Sequence, residues 1–93
     1  MIVGFASRET ELIWSGRRSR KLPSDIQPIA LRKLRMLNQA RVLADLRMPP
    51  ANRLEALRGN RAGQHSIRIN DQWRICFRWS ANGVSDVEIV DYH

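Results

Sequence analysis

An α+β fold follows from two changes along the chain: helices gather in the first half, and a mainly antiparallel sheet fills the second. Up to about residue 50, apolar side chains recur at helical spacing, whereas from Asn52 onward they alternate with a period of two. Turn chemistry supports the same division. Pro49-Pro50 closes the helical half, and Asn70-Asp71 and Asn82-Gly83 punctuate the strands. At 93 residues the chain is read as a single domain, residues 1–93, able to enclose one modest core.

Ile2 to Phe5 is a short apolar run and reads as an opening strand. Ser7 is placed to cap a helix with Glu9 and Glu11 in its first turns and Leu12, Ile13 and Trp14 for packing, and Gly16 ends it. Residues 17–21, Arg-Arg-Ser-Arg-Lys, form a dense basic loop closed by Pro23; its plainest reading is a flexible, solvated segment. A second helix is expected from Ser24, with Ser24 to Gln27 as a capping box and Pro28 tolerated in the first turn. Ile26, Ala30, Leu34 and Leu37 make its apolar stripe, with Arg32, Lys33 and Arg35 largely off it. A shorter helical piece is expected at 40–46, giving two to three helices in all. Strands are expected at 53–57, 64–69, 73–79 and 85–92.

Composition narrows the function classes. Hydrophobic residues at 43% and charged residues at 27% describe a globular chain and exclude a disordered one. No apolar run approaches the roughly 18–20 residues of a membrane span, and the N-terminus lacks the pattern of a signal peptide, so the chain reads as cytoplasmic. The single cysteine, Cys76, excludes an internal disulfide or a cysteine-based zinc cluster, and His65 and His93 alone do not fill a structural metal site. No metal or cofactor is therefore expected. The net charge is +7, and fourteen of the sixteen basic residues are arginine. Arginine's planar fork suits bidentate phosphate contacts and stacking on bases, so a polyanion, above all nucleic acid, is the expected partner.

Alternation places that charge. Ile67, Ile69, Trp73, Ile75, Phe77, Trp79, Val87 and Ile89 are all odd-numbered, while Arg68, Arg74, Cys76, Arg78, Glu88 and Tyr92 are even. Both sets stay on single faces only if each hairpin has an odd loop. Asn70-Asp71-Gln72 supplies three residues and pairs Arg68 with Arg74; the second hairpin is expected to use about five, residues 80–84. One face then packs on the helices, and the other carries Arg68, Arg74 and Arg78, with Glu88 available to neutralise one of them. Like charges side by side gain little without a ligand, so this face reads as an RNA site.

The strand half also carries a recognisable set of motifs. Residues 54–63, LEALRGNRAG, lead into 64–70, QHSIRIN; residues 71–77, DQWRICF, follow, and the chain closes on Asp91-Tyr92-His93. Together they resemble the HigB-type toxins of the RelE superfamily, from bacterial type II toxin–antitoxin modules of the plasmid maintenance killer kind. The resemblance is strongest over 54–93 and weaker in the first strand and the helices. It implies a RelE-like fold and a ribosome-dependent endonuclease that cuts mRNA in the ribosomal A site without a metal, inhibiting translation. It also implies an antitoxin partner with a helix-turn-helix domain, HigA-like, through which the pair meets operator DNA.

In such cleavage the RNA's own 2′-OH attacks the adjacent phosphate and the 5′-oxygen leaves, which needs a proton acceptor, a proton donor and cations on the phosphate. By motif, Arg74 matches the arginine on the scissile phosphate, and Asp91, Tyr92 and His93 match the terminal acid/base cluster. Arg58 lies where relatives carry a basic residue, and a guanidinium there acts electrostatically. His93 suits proton transfer near neutral pH, Tyr92 suits stacking or proton donation, and Asp91 suits orienting a neighbour. The chain departs from some relatives in carrying Glu55 where they have histidine; Glu55 is read as a general base or as the ion-pair partner of Arg53 or Arg58. Arg17, Arg18, Arg20, Lys21, Arg61, Arg68 and Arg78 are the RNA-binding candidates. His65 reads as a structural residue, and Gly59 and Gly63 as turn residues around Arg61. The competing reading is a noncatalytic basic module that grips RNA or holds an antitoxin.

Overall fold

The computed structural model describes residues 1–92. Helix α1 spans Arg8–Trp14 and begins where the Ser7 hydroxyl accepts the Thr10 N–H at 3.3 Å, with Glu9 and Glu11 against the helix dipole. Helix α2 spans Gln27–Gln39 behind a single 3-10 turn at Ser24–Ile26. The sheet consists of β1 (Glu55–Ala56), β2 (His65–Arg68), β3 (Trp73–Ser80) and β4 (Gly83–Asp91), antiparallel in the order β1-β2-β3-β4. The opening segment adds to its far edge through parallel bridges from Ile2 to Val84 and from Phe5 to Val87. The result is the expected α+β layering of helices on a mainly antiparallel sheet.

The core joins the two layers. Ile13, Ile26, Ala30, Leu34 and Leu37 from the helices pack on Ile67, Ile75, Phe77, Val84, Val87 and Ile89 from the sheet, all buried. A buried hydrogen bond from the Ile89 N–H to Thr10 Oγ1, 2.9 Å, ties α1 to β4. Among the described residues, no helix is long and apolar enough to cross a membrane.

Several local expectations are corrected. Ser24 forms no capping box; Gln27 instead donates to the Ser19 and Leu22 carbonyls at 2.8 and 2.9 Å and accepts the Ser19 N–H at 3.1 Å. The basic loop is consequently anchored. Its buried Ser19 hydroxyl donates to Glu9 Oε1 at 2.6 Å and accepts from the N–H groups of Lys21 and Leu22. The piece at 40–46 is a 3-10 turn, Leu43–Arg47, started by Asp45, whose carboxylate accepts the N–H groups of Arg41 and Val42. Lys33 lies within the buried stripe of α2, 8% exposed, because it follows Ile26 by seven residues and Ala30 by three.

The first hairpin has the three-residue loop expected, with Arg68 opposite Arg74. The Asn70 side chain accepts the N–H groups of Gln72 and Trp73 and so shapes this turn. The second hairpin turns on two residues, Ala81 and Asn82, instead of five. A β-bulge restores the faces: Cys76 pairs with Glu88 but Arg78 with Ser85, leaving one extra residue in β4 at Asp86, φ 51°. Val84 and Val87, of opposite parity, are therefore both buried.

Candidate functional site

The solvent-facing side of the sheet is hollowed where β1 approaches β3. Strand β1 shrinks from the expected five residues to two, because Arg53 adopts the left-handed conformation, φ 46° and ψ 57°, and turns the chain before pairing begins. That turn brings the Arg53 carbonyl and the Glu55 carboxylate onto the guanidinium of Arg74 in the middle of the sheet. Arg74 Nη2 donates to the Arg53 carbonyl at 2.9 Å, and Nη1 lies 3.1 Å from Glu55 Oε2. The Tyr92 ring covers the same guanidinium, its centroid 5.3 Å from Cζ. Arg74 is only 6% exposed, whereas Glu55 and Tyr92 are open to solvent.

Arg53, Glu55, Arg68, Asn70, Asp71, Arg74 and Tyr92 line a cleft of about 180 Å³. A second hollow of about 480 Å³, bordered by Glu55, Arg58 and Tyr92, adjoins it. Four of the six catalytic candidates, Arg74, Tyr92, Glu55 and Arg58, are thus brought together with Arg68. Asp91 pairs with Trp73, so strand alternation turns it to the other side of the sheet, where its carboxylate accepts from Gln72 Nε2 at 3.1 Å. His93 lies outside the described residues.

Three further arginines of this face meet carboxylates. Arg68 pairs with Asp71, Arg61 with Glu88 at 2.9 Å, and Arg78 with Asp86 at 3.1 Å. The partners differ from those weighed on sequence. Glu55 meets Arg74 and not Arg53 or Arg58, and Glu88 serves Arg61. The hydrogen bond to Glu88 pushes the Arg61 guanidinium further up from its ordinary value. Cys76, fully buried on this face, has its thiol pushed up by burial, against the pull of Arg61 and Arg74. Gly63 sits at φ 90°, a left-handed backbone that favours glycine, and a Cβ there would also press on the tip of the Arg78 side chain, 2.8 Å from Nη1.

Arg17, Arg18, Arg20 and Lys21 belong to the helical layer on the opposite side. All four are exposed, and Arg17 and Arg18 rim a groove floored by Ile13, Pro28 and Leu31. Sequence reasoning missed three residues of the site region, namely Arg53 as a lining residue and Lys33 and Asn52 beneath it. The heptad spacing of Lys33 was a usable signal. Nothing local marks Arg53, because left-handed backbone is expected of Gly or Asn before Arg.

The described residues thus form a small α+β unit with an arginine-lined sheet face and helices on its back. The same fold occurs in the YoeB–YefM complex from Staphylococcus aureus, with a TM-score of 0.62, 15% identity and coverage of 100% of this chain and 98% of that one. Residues 10–93 match the family model of the HigB-like toxins, RelE-like toxins of type II toxin–antitoxin systems. Toxin HigB-1 of Vibrio cholerae is 44% identical over 77 residues, covering 83% of this chain and 80% of that protein. An uncharacterized protein of Haemophilus influenzae is 37% identical over 67 residues, covering 72% and 66%. The chain belongs to the HigB-like family of type II toxins.

Proposed function

We propose that this toxin is a ribosome-dependent mRNA endonuclease that cuts in the A site and works without a metal, with Arg74 as the group that meets the scissile phosphate. The observation that carries the reading is the buried Arg74 guanidinium, held at both Nη groups and opening on a cleft with Arg68, Glu55 and Tyr92. The 2′-oxygen attacks phosphorus as its proton passes to a base, and the P–O5′ bond breaks as the 5′-oxygen takes up a proton. The products are a 2′,3′-cyclic phosphate and a 5′-hydroxyl. Charge accumulates on the phosphate oxygens, where a preorganised guanidinium is most effective. Glu55, exposed beside Arg74, is our candidate to take the 2′-OH proton, and Tyr92 our candidate to stack on a base or donate to the leaving oxygen. Arg58 adds positive charge at the adjoining hollow. His93, by its motif, is the alternative acid or base, and Asp91 an orienting residue.

The cleft is small and shallow, which suits a substrate presented in a fixed conformation by the ribosome. Exposed cations at residues 17–21, with Arg61 and Arg78, are assigned to ribosomal RNA and mRNA. A cytoplasmic antitoxin, helix-turn-helix and HigA-like, is the expected partner and the route by which the pair reaches operator DNA. The test is cleavage of mRNA on programmed ribosomes beside the same RNA free in solution, with 3′ and 5′ ends mapped and EDTA controls that preserve ribosomal magnesium. Cleavage confined to ribosomes, leaving 5′-hydroxyl ends, is expected. Equal cutting of naked RNA would sink ribosome dependence, and binding without cutting would leave a noncatalytic module.

A further inference from the structure

Under the cleft runs a buried polar connection that the proposed chemistry does not use. Lys33, on α2, donates from Nζ to Asn52 Oδ1. Asn52 is fully buried, and its Nδ2 donates to the carbonyls of Leu46 at 3.1 Å and Met48 at 3.3 Å. These contacts leave the amide one orientation, since an ammonium can only donate and a carbonyl can only accept. The next residue is Arg53, whose left-handed backbone directs its carbonyl at Arg74; Glu55, two further on, supplies the carboxylate. Arg74 Nε is buried without a hydrogen-bond partner among the described residues, so the two Nη contacts carry the orientation of the guanidinium.

An ammonium in this place is expensive. Burial, with the charges of Arg32 and Arg68, holds Lys33 below the usual lysine range, and an apolar residue on the α2 stripe would avoid that cost. Packing alone does not account for a lysine there. The connection ends at the guanidinium in the cleft.

We propose that Asn52, oriented by Lys33, is a positioning residue for Arg74: it roots the turn at Arg53 in the core, so that the Arg53 carbonyl and Glu55 hold the guanidinium under Tyr92 at one angle. Neither Lys33 nor Asn52 touches RNA. The inference rests on the reading of Arg74 as the phosphate-binding group, and it concerns what keeps that group in place.

Lys33→Met keeps the side-chain stem and removes the ammonium; Asn52→Asp keeps shape and the acceptor for Lys33 but removes the donor to Leu46 and Met48. Each is measured for thermal unfolding, ribosome affinity and single-turnover cleavage, and in combination with Arg74→Ala. Expected is a rate lowered roughly 10- to 100-fold, the scale of an ångström-level misplacement, at unchanged ribosome affinity. Adding either change to Arg74→Ala is expected to cost nothing further. If the penalties multiply instead, Lys33 and Asn52 act independently of Arg74 and the proposal falls. If one variant does not fold, the other carries the same cycle.

A second readout needs no activity: the side-chain NMR signals of Arg74, assigned by their loss in Arg74→Ala. A held guanidinium gives separate Nη resonances, which are expected to merge in either variant. Unchanged signals overturn the positioning role. If the native toxin cuts no RNA, the functional reading fails, and the NMR arm still decides this one.

Discussion

In the cleft, Arg74 is 6% exposed, with Nη2 hydrogen-bonded to the Arg53 carbonyl and Nη1 ion-paired with Glu55. In the loop at residues 17–21 the arrangement is inverted. Ser19 is buried and fastens the backbone to Glu9 and Gln27, while Arg17, Arg18, Arg20 and Lys21 reach into solvent with no ion-pair partner among the described residues. A cation fixed within a few tenths of an ångström serves one atom of a reacting group, and its worth depends on geometry. An exposed cation on an anchored loop serves any nearby phosphate, and its worth depends on salt. On the proposed function, one arginine-rich composition supplies both precision and attraction.

The largest effect should come from breaking the fixed side. Arg74→Ala is expected to slow single-turnover cleavage on ribosomes by about 10²–10³-fold, the scale for losing one such donor, with ribosome affinity held. Arg74→Lys separates charge from fork: a lysine that restored the rate would show that charge alone matters, and the contrast between the two regions would collapse. Neutralising Arg17, Arg18, Arg20 and Lys21 together, each to Gln, should act the other way. Ribosome affinity should fall and the slope of log affinity against log salt should flatten by up to about 3, while the bound complex cuts at the normal rate. An unchanged slope would remove the loop from the docking surface.

Smaller changes sharpen the distinction. Ser19→Ala withdraws the acceptor for two backbone N–H groups and the donor to Glu9, and should cost about 1 kcal/mol in urea unfolding, since water replaces part of what is lost. It should also weaken ribosome binding less than charge removal does. The smallest expected effect is the reaction of Cys76 with a thiol reagent. Burial lifts the thiol, so raising the pH from about 7 to 9 should speed labelling of the unfolded chain and barely affect the folded one. Ready labelling of native protein would mean that the sheet opens around Cys76.

Much of this design was legible in residue order. The faces of β3, the three-residue turn at Asn70 and the placing of Arg68 opposite Arg74 all follow from alternation and Asx chemistry. The capping of α1 by Ser7 is equally local. The anchored state of the basic loop was not legible, because Ser19 gains its partners from Glu9 and Gln27, in two different helices. The second turn was misjudged in length because a two-residue turn with a bulge keeps the same faces as a five-residue loop, and a bulge at Asp86 carries no glycine to announce it.

The sequence by itself determined the layers, the basic balance and the set of residues from which a site can be made, since periodicity and turn preference act over a few neighbours. Tertiary structure decided which carboxylate meets which arginine, that Lys33 meets Asn52, and that Arg53 turns its carbonyl on Arg74. Those outcomes depend on register between distant strands and on desolvation. Glu55 and Arg74 are near one another only because β1, β2 and β3 lie side by side, and removing Arg74 from water makes a fixed partner necessary.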